Sequence, residues 1–277
     1  MNSASSVKKS IDFNKNFHSI LEVLKLVAAS QYHILERKLK TFEALGKVMD
    51  EFFNSIDLSQ VRHPFLDAGD KPPAIVAITS DVGLLGGMNL QVVTKAVELV
   101  QHENGRLIVF GERGQVYAQD LRIPFTYFSG VLETERYIQA TQLRNYLTPR
   151  IIDGELGSVK VVYARAVSLA LYRIEVEGLL PFTRPEVAGQ PQEQIFESSP
   201  GEVLEYLVYL FLGARFYEIF GWSALAEQAA RFTHLEESSQ RILEDNKKLT
   251  RQYFRRRHEL IDQNMRELFA ARSLYAK

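Results

Sequence analysis

The segment Thr79–Asn89 carries the residues best suited to chemistry in this chain, because it combines three glycines with hydroxyl, carboxylate and amide side chains. It lies between a β-branched apolar run and a helical pattern. Glycines in such a turn permit positive φ and close backbone approach, which phosphate-binding loops require. The spacing Gly-x-x-Gly-Gly is not a dinucleotide fingerprint, however, and no lysine follows as in a P-loop. A tight structural turn is therefore favoured over a nucleotide site.

A second candidate is the basic segment Arg251–His258, which reads Arg-Gln-Tyr-Phe-Arg-Arg-Arg-His. Basic side chains interleaved with aromatic rings are compatible with nucleic-acid binding. On a helix these arginines occupy several sides of two turns, so some of them must face outward. An acidic protein surface suits them as well as phosphate does, and the net charge of −1 counts against nucleic acid.

Independent catalysis is not expected. The six histidines are scattered without the spacing of metal ligands, and no nucleophile is paired with a base. The absence of cysteine excludes disulfides, thiolate metal sites and cysteine catalysis. We therefore predict no catalytic, cofactor-binding or metal-binding residue. No apolar run approaches the ~20 residues of a membrane span, and the N-terminal residues lack the apolar core of a secretory signal, so a cytosolic protein is expected.

Two long helices are predicted at the ends of the chain. Val7–Asp57 contains no proline and one glycine. Glu202–Lys277 contains no proline, and its only glycines are Gly213 and Gly221, which could bend it. The second helix would be about 110 Å long and needs a partner. The first helix offers apolar residues at three- and four-residue spacing as a seam. The predicted seam residues are Phe17, Ile20, Leu24, Val27, Ile34, Leu45, Val48 and Phe52.

The middle of the chain alternates strand and helix patterns, which predicts an α/β layer with a mostly parallel sheet. The predicted strands are Ala74–Thr79, Arg106–Phe110, Ile123–Phe128, Ser158–Tyr163 and an edge strand, Tyr172–Leu179. The predicted helices are Leu90–Gln101, Gln115–Asp120 and Thr134–Leu147, the last ending before Pro149. We thus expect an antiparallel coiled coil of residues 1–60 and 200–277 with an inserted Rossmann-like α/β domain, residues 70–185.

Three separated motifs, taken in order, resemble those of a known family. Leu24–Ser30 reads Leu-Lys-Leu-Val-Ala-Ala-Ser, and Thr79–Asn89 matches Thr-Ser-Asp-Arg-Gly-Leu-x-Gly-Gly-x-Asn except mainly for Val82 in place of arginine. The third motif begins with Glu227-Gln-Ala-Ala-Arg231. It continues with Tyr253, Arg257, Ile261 and Gln263, which keep the family's spacing. The chain resembles the gamma subunit of F-type ATP synthases, the central rotor shaft.

The resemblance implies a non-catalytic subunit that couples rotation of a membrane ring to ATP synthesis or hydrolysis at beta subunits. Its coiled coil would pass through a ring of three alpha and three beta subunits. Its α/β domain would meet the epsilon subunit and the membrane c-ring, without nucleic acid and without direct membrane insertion. By position, the residues expected to contact the alpha/beta ring are Lys25, Arg241, Lys247, Lys248, Arg251, Arg257, His258, Leu268 and Phe269. The expected structural motif consists of Thr79, Ser80, Asp81, Gly83, Gly86, Gly87 and Asn89.

The chain departs from the family pattern at several places, among them Gln228 and His258, where the family has histidine and glutamine. These departures suggest a divergent member at the cytoplasmic face of a bacterial or archaeal plasma membrane, with sodium coupling as a hypothesis. Two other classes stay open. One is a stand-alone α/β protein that binds a nucleotide or small ligand and carries a coiled-coil oligomerisation arm. The other is a nucleic-acid adaptor that uses Arg251–Arg257.

Overall fold

A computed structural model describes residues 4–40, 61–182 and 199–275 of the chain. The helices are α1 (Ala4–Lys40), α2 (Met88–Glu103), α3 (Glu112–Asp120), α4 (Arg136–Ile152) and α5 (Pro200–Tyr275). The strands are β1 (Ala74–Ile78), β2 (Arg106–Phe110), β3 (Phe125–Phe128), β4 (Val159–Ser168) and β5 (Leu171–Leu180). The part of the first predicted helix after Lys40 lies outside the described residues.

The chain divides into two compact units. A coiled-coil unit comprises Met1–Val27 and Thr233–Lys277, and an α/β unit comprises Ala28–Phe232. Compared with the division predicted from the sequence, the last turns of α1 and the first half of α5 belong to the α/β unit.

The α/β unit is built on one sheet with the strand order β3-β2-β1-β4-β5. Neighbouring strands run parallel from β3 to β4, and β5 is antiparallel to β4. Val76 of β1 pairs with Ile108 and with Val161. All residues of β1 are buried, as expected for a central parallel strand covered on both faces. The predicted α/β class with a mostly parallel sheet is confirmed.

Helices cover both faces of the sheet. On one face, Val76 and Ile78 of β1 pack in a core with α4 and the first turns of α5, where Leu143 and Phe216 are fully buried. On the other face, residues of β1 pack with α2 in a second core, to which α5 adds Ala226. Because α5 contributes to both cores, its first half is an integral part of the α/β unit.

Gly213 and Gly221, inside α5, lie against arginines of α4 and do not interrupt the helix. An ideal Cβ on Gly213 would lie 2.9 Å from Nη1 of Arg144. On Gly221 it would lie 2.6 Å from Nη1 of Arg136 and 2.5 Å from Cδ2 of Leu39. The glycines therefore make room for these side chains, which explains their presence inside a long helix despite their low helix propensity.

Tyrosines alternate with these glycines along the same side of α5. The guanidinium carbon of Arg144 lies 3.4 Å from the ring centroid of Tyr209, and that of Arg136 lies 4.0 Å from the ring centroid of Tyr217. Arg136 is almost fully buried and also pairs with Glu133 at 3.2 Å. The tyrosine faces thus provide cation–π contacts that help to compensate for burying two charged groups.

Helix α4 differs from its prediction at the C-terminal end. It was expected to stop before Pro149, but it continues to Ile152 with Pro149 inside. Leu147 and Ile151 are both fully buried, so the last turn carries the same apolar face as the turns before it. Packing on the core therefore outweighs the loss of one helical hydrogen bond at proline.

The seam of the coiled-coil unit lies on a different face of α1 from the one predicted. Buried and half-buried side chains recur at alternating four- and three-residue steps on this face. These seam residues are Val7, Ile11, Asn14, His18, Leu21 and Lys25 on α1, and Leu235, Ser239, Ile242, Asn246, Leu249 and Tyr253 on α5. The predicted seam residues Phe17, Ile20, Leu24 and Val27 are exposed, as is Ile34 in the α/β unit. Leu45, Val48 and Phe52 lie outside the described residues.

Candidate interaction surface

The glycine-rich turn holds the end of β1 against the start of α2. The amide of Ser80 donates to Oδ1 of Asn89 at 3.3 Å, and Nδ2 of Asn89 donates to Oγ of Ser80 at 3.0 Å. The hydroxyl of Thr79 donates to the carbonyl of Phe110 at the end of β2. The polar side chains that could have met a phosphate are therefore bonded to protein groups.

Asp81 joins the loops that follow three neighbouring strands. Its Oδ1 accepts the backbone N–H of Glu112 at 2.7 Å and that of Gly130 at 3.1 Å. An ideal Cβ on Gly130 would lie 2.5 Å from the Asp81 carboxyl group, so this close approach requires glycine. The arrangement fits a structural turn that fixes the carboxyl ends of β1, β2 and β3.

The glycines of the turn allow its backbone conformation and its close contacts. Gly86 has φ of 58°, in the left-handed region that favours glycine. Gly83 lies beside Arg113, whose Nη2 would be 3.3 Å from an added Cβ. Gly87 is the residue immediately before α2.

Glu227 on α5, the first residue of the third sequence motif, is a titratable group near this turn to which the sequence analysis assigned no role. Its side chain is 14% exposed, and its Oε2 lies 3.9 Å from Nη2 of Arg231. Burial raises the pKa of Glu227 to about 7, with the charge of Asp81 acting in the same direction and Arg231 acting against it. Arg231 also donates to Gln228 at 2.7 Å. The family-like motif of α5 is thus placed beside the glycine-rich turn.

The basic residues predicted on the second half of α5 project from the coiled-coil unit. Arg241 is 79% exposed and is 3.9 Å from Glu237, one turn earlier. Lys248 is exposed and is 3.1 Å from Asp245. The other predicted contact residues of α5 are also exposed: Lys247, Arg251, Arg257, His258, Leu268 and Phe269. Exposed ion pairs within one helix contribute little to stability, so these charges are available to a partner.

Lys25 was expected to contact the alpha/beta ring, but its side chain does not face outward. Its side chain is only 16% exposed, and its Nζ lies 2.8 Å from Oε2 and 2.9 Å from Oε1 of Glu22 and 2.6 Å from Oε2 of Glu236 on α5. Hydrogen bonds to these two carboxylates raise the pKa of Lys25. Its charge is therefore engaged inside the coiled-coil unit.

An apolar row runs along the exposed face of α1. It consists of Phe13, Phe17, Ile20, Leu24 and Val27, at alternating four- and three-residue steps, with exposures from 38% to 65%. The rings of Phe13 and Phe17 stack with centroids 5.9 Å apart. A continuous exposed apolar surface marks an interaction site on a protein. The apolar row and the exposed basic residues of α5 together form the candidate interaction surface.

In residues 4–40, 61–182 and 199–275, no three histidine, cysteine or acidic side chains are grouped so that they could hold a metal ion. Nor does any helix in these ranges have the length and apolar character needed to cross a membrane.

Comparison with known proteins supplies the class. A family model described as ATP synthase matches residues 3–273, and the chain therefore belongs to the ATP synthase family. Similar curated proteins are the ATP synthase gamma chains of Symbiobacterium thermophilum and Clostridium novyi. Each is 26% identical to this chain, and each alignment covers 95% of both chains. The resemblance inferred from the three sequence motifs is confirmed.

Solved structures share the fold. The rotor of the Euglena gracilis mitochondrial ATP synthase contains a chain with a TM-score of 0.63 and 16% identity, which covers 93% of this chain and 98% of its own. The central stalk and c-ring of the Tetrahymena thermophila mitochondrial ATP synthase contains another, with a TM-score of 0.58 and 20% identity. That match covers 79% of this chain and 99% of the other.

Proposed function

We propose that this chain is the central-stalk rotor subunit of an F-type ATP synthase. It couples rotation of the membrane ring to ATP synthesis or hydrolysis at beta subunits, and it is not itself catalytic. Family membership and the nearly full-length match to gamma chains support this role. The structural observation that carries it is the apolar row, a surface that needs a surrounding partner.

The proposed partners divide between the two units. Three alpha and three beta subunits surround the coiled-coil unit, and the epsilon subunit and c-ring meet the α/β unit. The complex is peripheral at the cytoplasmic face of a bacterial or archaeal plasma membrane. Full burial of each large side chain of the apolar row contributes about 1.5–3 kcal/mol, so the apolar row is the main source of affinity for the ring.

The exposed basic residues add specificity to this contact. Lys247, Lys248 and Arg251 are spaced within about one turn of α5 and face acidic side chains of beta. Charged side chains at the rim of an interface steer association and fix orientation more than they raise affinity. Leu268 and Phe269 lie further along α5 and fit an apolar sleeve.

The structure disfavours the stand-alone nucleotide binder. Its phosphate site would have been the glycine-rich turn, where the side chains of Ser80, Asp81 and Asn89 are bonded to neighbouring protein groups. A ligand would have to displace these bonds. Sodium coupling stays a prediction, which the sodium dependence of ATP hydrolysis by the assembled complex would test.

The proposed function is tested by assembly and coupling. The purified chain is mixed with the alpha and beta subunits of its own complex, and the expected result is a stable assembly that hydrolyses ATP. Phe17→Ser with Ile20→Ser should weaken assembly, while Val116→Ser, an exposed apolar residue of α3, should not. A chain that never associates with alpha and beta contradicts the proposal.

Arg257→Ala tests the basic surface in the complete, membrane-bound complex. We expect ion pumping per ATP hydrolysed to fall while the unfolding midpoint of the chain stays unchanged, because an exposed arginine adds little to a helix. Lys95→Ala, which removes an exposed cation of α2, serves as the matched control. If Arg257→Ala prevents folding, Arg257 is structural and its assignment to the ring contact is wrong.

A further inference from the structure

The seam of the coiled-coil unit contains a cluster of polar side chains that joins the two helices. The seam cluster consists of His18, Glu22 and Lys25 on α1 and of Glu236 and Ser239 on α5. Nζ of Lys25 donates to Glu22 at 2.9 Å and to Glu236 at 2.6 Å. The cluster therefore spans both sides of the seam with charge-assisted hydrogen bonds, which are stronger than neutral ones.

Ser239 is the buried centre of the seam cluster. It is 1% exposed, and its hydroxyl donates to Glu22 at 2.8 Å. Nδ1 of His18 lies 2.9 Å from the same hydroxyl oxygen. Because a hydroxyl has a single hydrogen, which here goes to Glu22, the Nδ1–H of His18 is the donor to Ser239. Both side chains that hydrogen-bond to this hydroxyl, Glu22 and His18, come from the opposite helix.

The apolar seam residues do not select one alignment of the helices. Both helices repeat their seam positions every seven residues, so sliding one past the other by seven residues brings seam positions opposite seam positions again. In the present antiparallel alignment Lys25 contacts Glu236. Counting the same number of turns along both helices from this pair places Ile11 level with Leu249. A slip of one heptad in one direction would place Ile11 level with Ile242, which is also apolar.

The seam cluster is satisfied in the present alignment and loses its partners after a slip. The residues seven positions before and after Glu236 are Ala229 and Leu243, and neither can accept a hydrogen bond from the Lys25 side chain through its own side chain. Ser239 would likewise leave Glu22 and His18. The residue brought to its place would be Phe232 or Asn246, of which only the asparagine could hydrogen-bond to them. Ser239 is 1% exposed, and a polar group that is buried without a partner is strongly disfavoured. Glu22 and Glu236 are each 38% exposed and would lose only their charge-assisted bonds.

We propose that the seam cluster sets the register of α1 against α5 in the coiled-coil unit, while the apolar seam residues hold the helices together without choosing their register. A polar residue in the seam of a coiled coil is well suited to this task, because it gives up some stability in return for a unique alignment. This inference goes beyond the rotor function and does not depend on it.

The absence of cysteine from the chain makes the register directly measurable. Lys8→Cys and Arg241→Cys place two spin labels on exposed positions that are offset along the helices. The distance between the labels is measured by pulsed electron paramagnetic resonance on the full-length chain. A slip of one heptad changes the axial offset of the labels by about 10 Å, at 1.5 Å per residue.

Two variants of the labelled chain separate register from general stability. Lys25→Met with Ser239→Ala removes the four hydrogen bonds described above. Leu21→Ala removes a buried leucine from the same stretch of seam and leaves the seam cluster intact. We expect one narrow distance for the parent and for Leu21→Ala, and a second distance displaced by up to about 10 Å for the cluster variant.

Three results would overturn the inference. In the first, the cluster variant keeps the single distance of the parent. In the second, Leu21→Ala shifts the distance as much as the cluster variant does. In the third, the cluster variant loses the helical circular dichroism of the coiled-coil unit and gives no defined distance, which means that the cluster holds the helices together and does not select their alignment.

Discussion

Glu227 gives the structure a measurable pH dependence. Its carboxyl group is 14% exposed, and burial raises its pKa from 4.5 to about 7. The folded chain therefore binds this proton more tightly than the unfolded chain does. The contribution of this bound proton to the free energy of unfolding is fully present below pH 4.5. It is lost as the pH rises through about 7, because the carboxylate must then be ionised inside the fold.

The magnitude follows from the size of this rise. At about 1.4 kcal/mol for each pH unit, a change from 4.5 to about 7 corresponds to about 3 kcal/mol. About 2.5 kcal/mol of it is lost between pH 5 and pH 8 by linkage. Glu227→Gln keeps the shape of the neutral side chain and cannot ionise, so it should avoid this loss.

The assay is urea unfolding of the full-length chain at several pH values between 5 and 8, followed by the fluorescence of Trp222. This is the single tryptophan of the chain and lies in the part of α5 that belongs to the α/β unit. We expect the stability advantage of Glu227→Gln over the parent to grow by about 2.5 kcal/mol from pH 5 to pH 8. Glu98→Gln, at an exposed position of α2, should show no such growth. An advantage that is constant with pH, or that shrinks, refutes the argument.

Three other substitutions test the packing of the α/β unit by the same unfolding assay. Gly221→Ala should lower the free energy of unfolding by about 1–3 kcal/mol, because its methyl group overlaps neighbouring side chains, whereas Gly201→Ala meets nothing within 4 Å and should not lower it. Asp81→Ala should cost about 1.5–3 kcal/mol through the loss of its bonds to two backbone amides, and Asp120→Ala, at an exposed position, should cost much less. Tyr163→Phe should cost about 1–3 kcal/mol, because the hydroxyl has its single hydrogen between two carboxylates of β5, 3.1 Å from Glu175 and 3.0 Å from Glu177; an unchanged midpoint would contradict that role.

The strands were predictable where burial alone determines them. Arg106–Phe110 was predicted as a strand and is found with those bounds, because a strand covered on both faces is a continuous apolar run. The fourth strand was expected to end at Tyr163 but continues to Ser168. The added residues pair with the first half of β5 in a hairpin whose tip is exposed, so the cross-strand partner and not the local pattern determines where β4 ends.

The seam of α1 could not be chosen from α1 alone. The helix carries two rows at heptad spacing, and the fully apolar row that includes Phe17 and Leu24 was the natural choice. The row that packs contains His18 and Lys25, which hydrogen-bond across the seam to Ser239 and Glu236 of α5. Those partners are more than 200 residues away in the chain. For the same reason Lys25 was expected to face outward.

The alternation of glycine and tyrosine on α5 has a mechanical consequence. Arg144 and Arg136 of α4 each lie over a tyrosine ring and against a glycine gap. Rings and gaps follow each other every four residues along one side of the helix, so α4 fits α5 at a single angular position. Within the α/β unit, the two arginines of α4 thus interlock with alternating rings and gaps on α5. Contacts at four successive positions therefore oppose rotation of α5 about its own axis relative to α4 and the sheet.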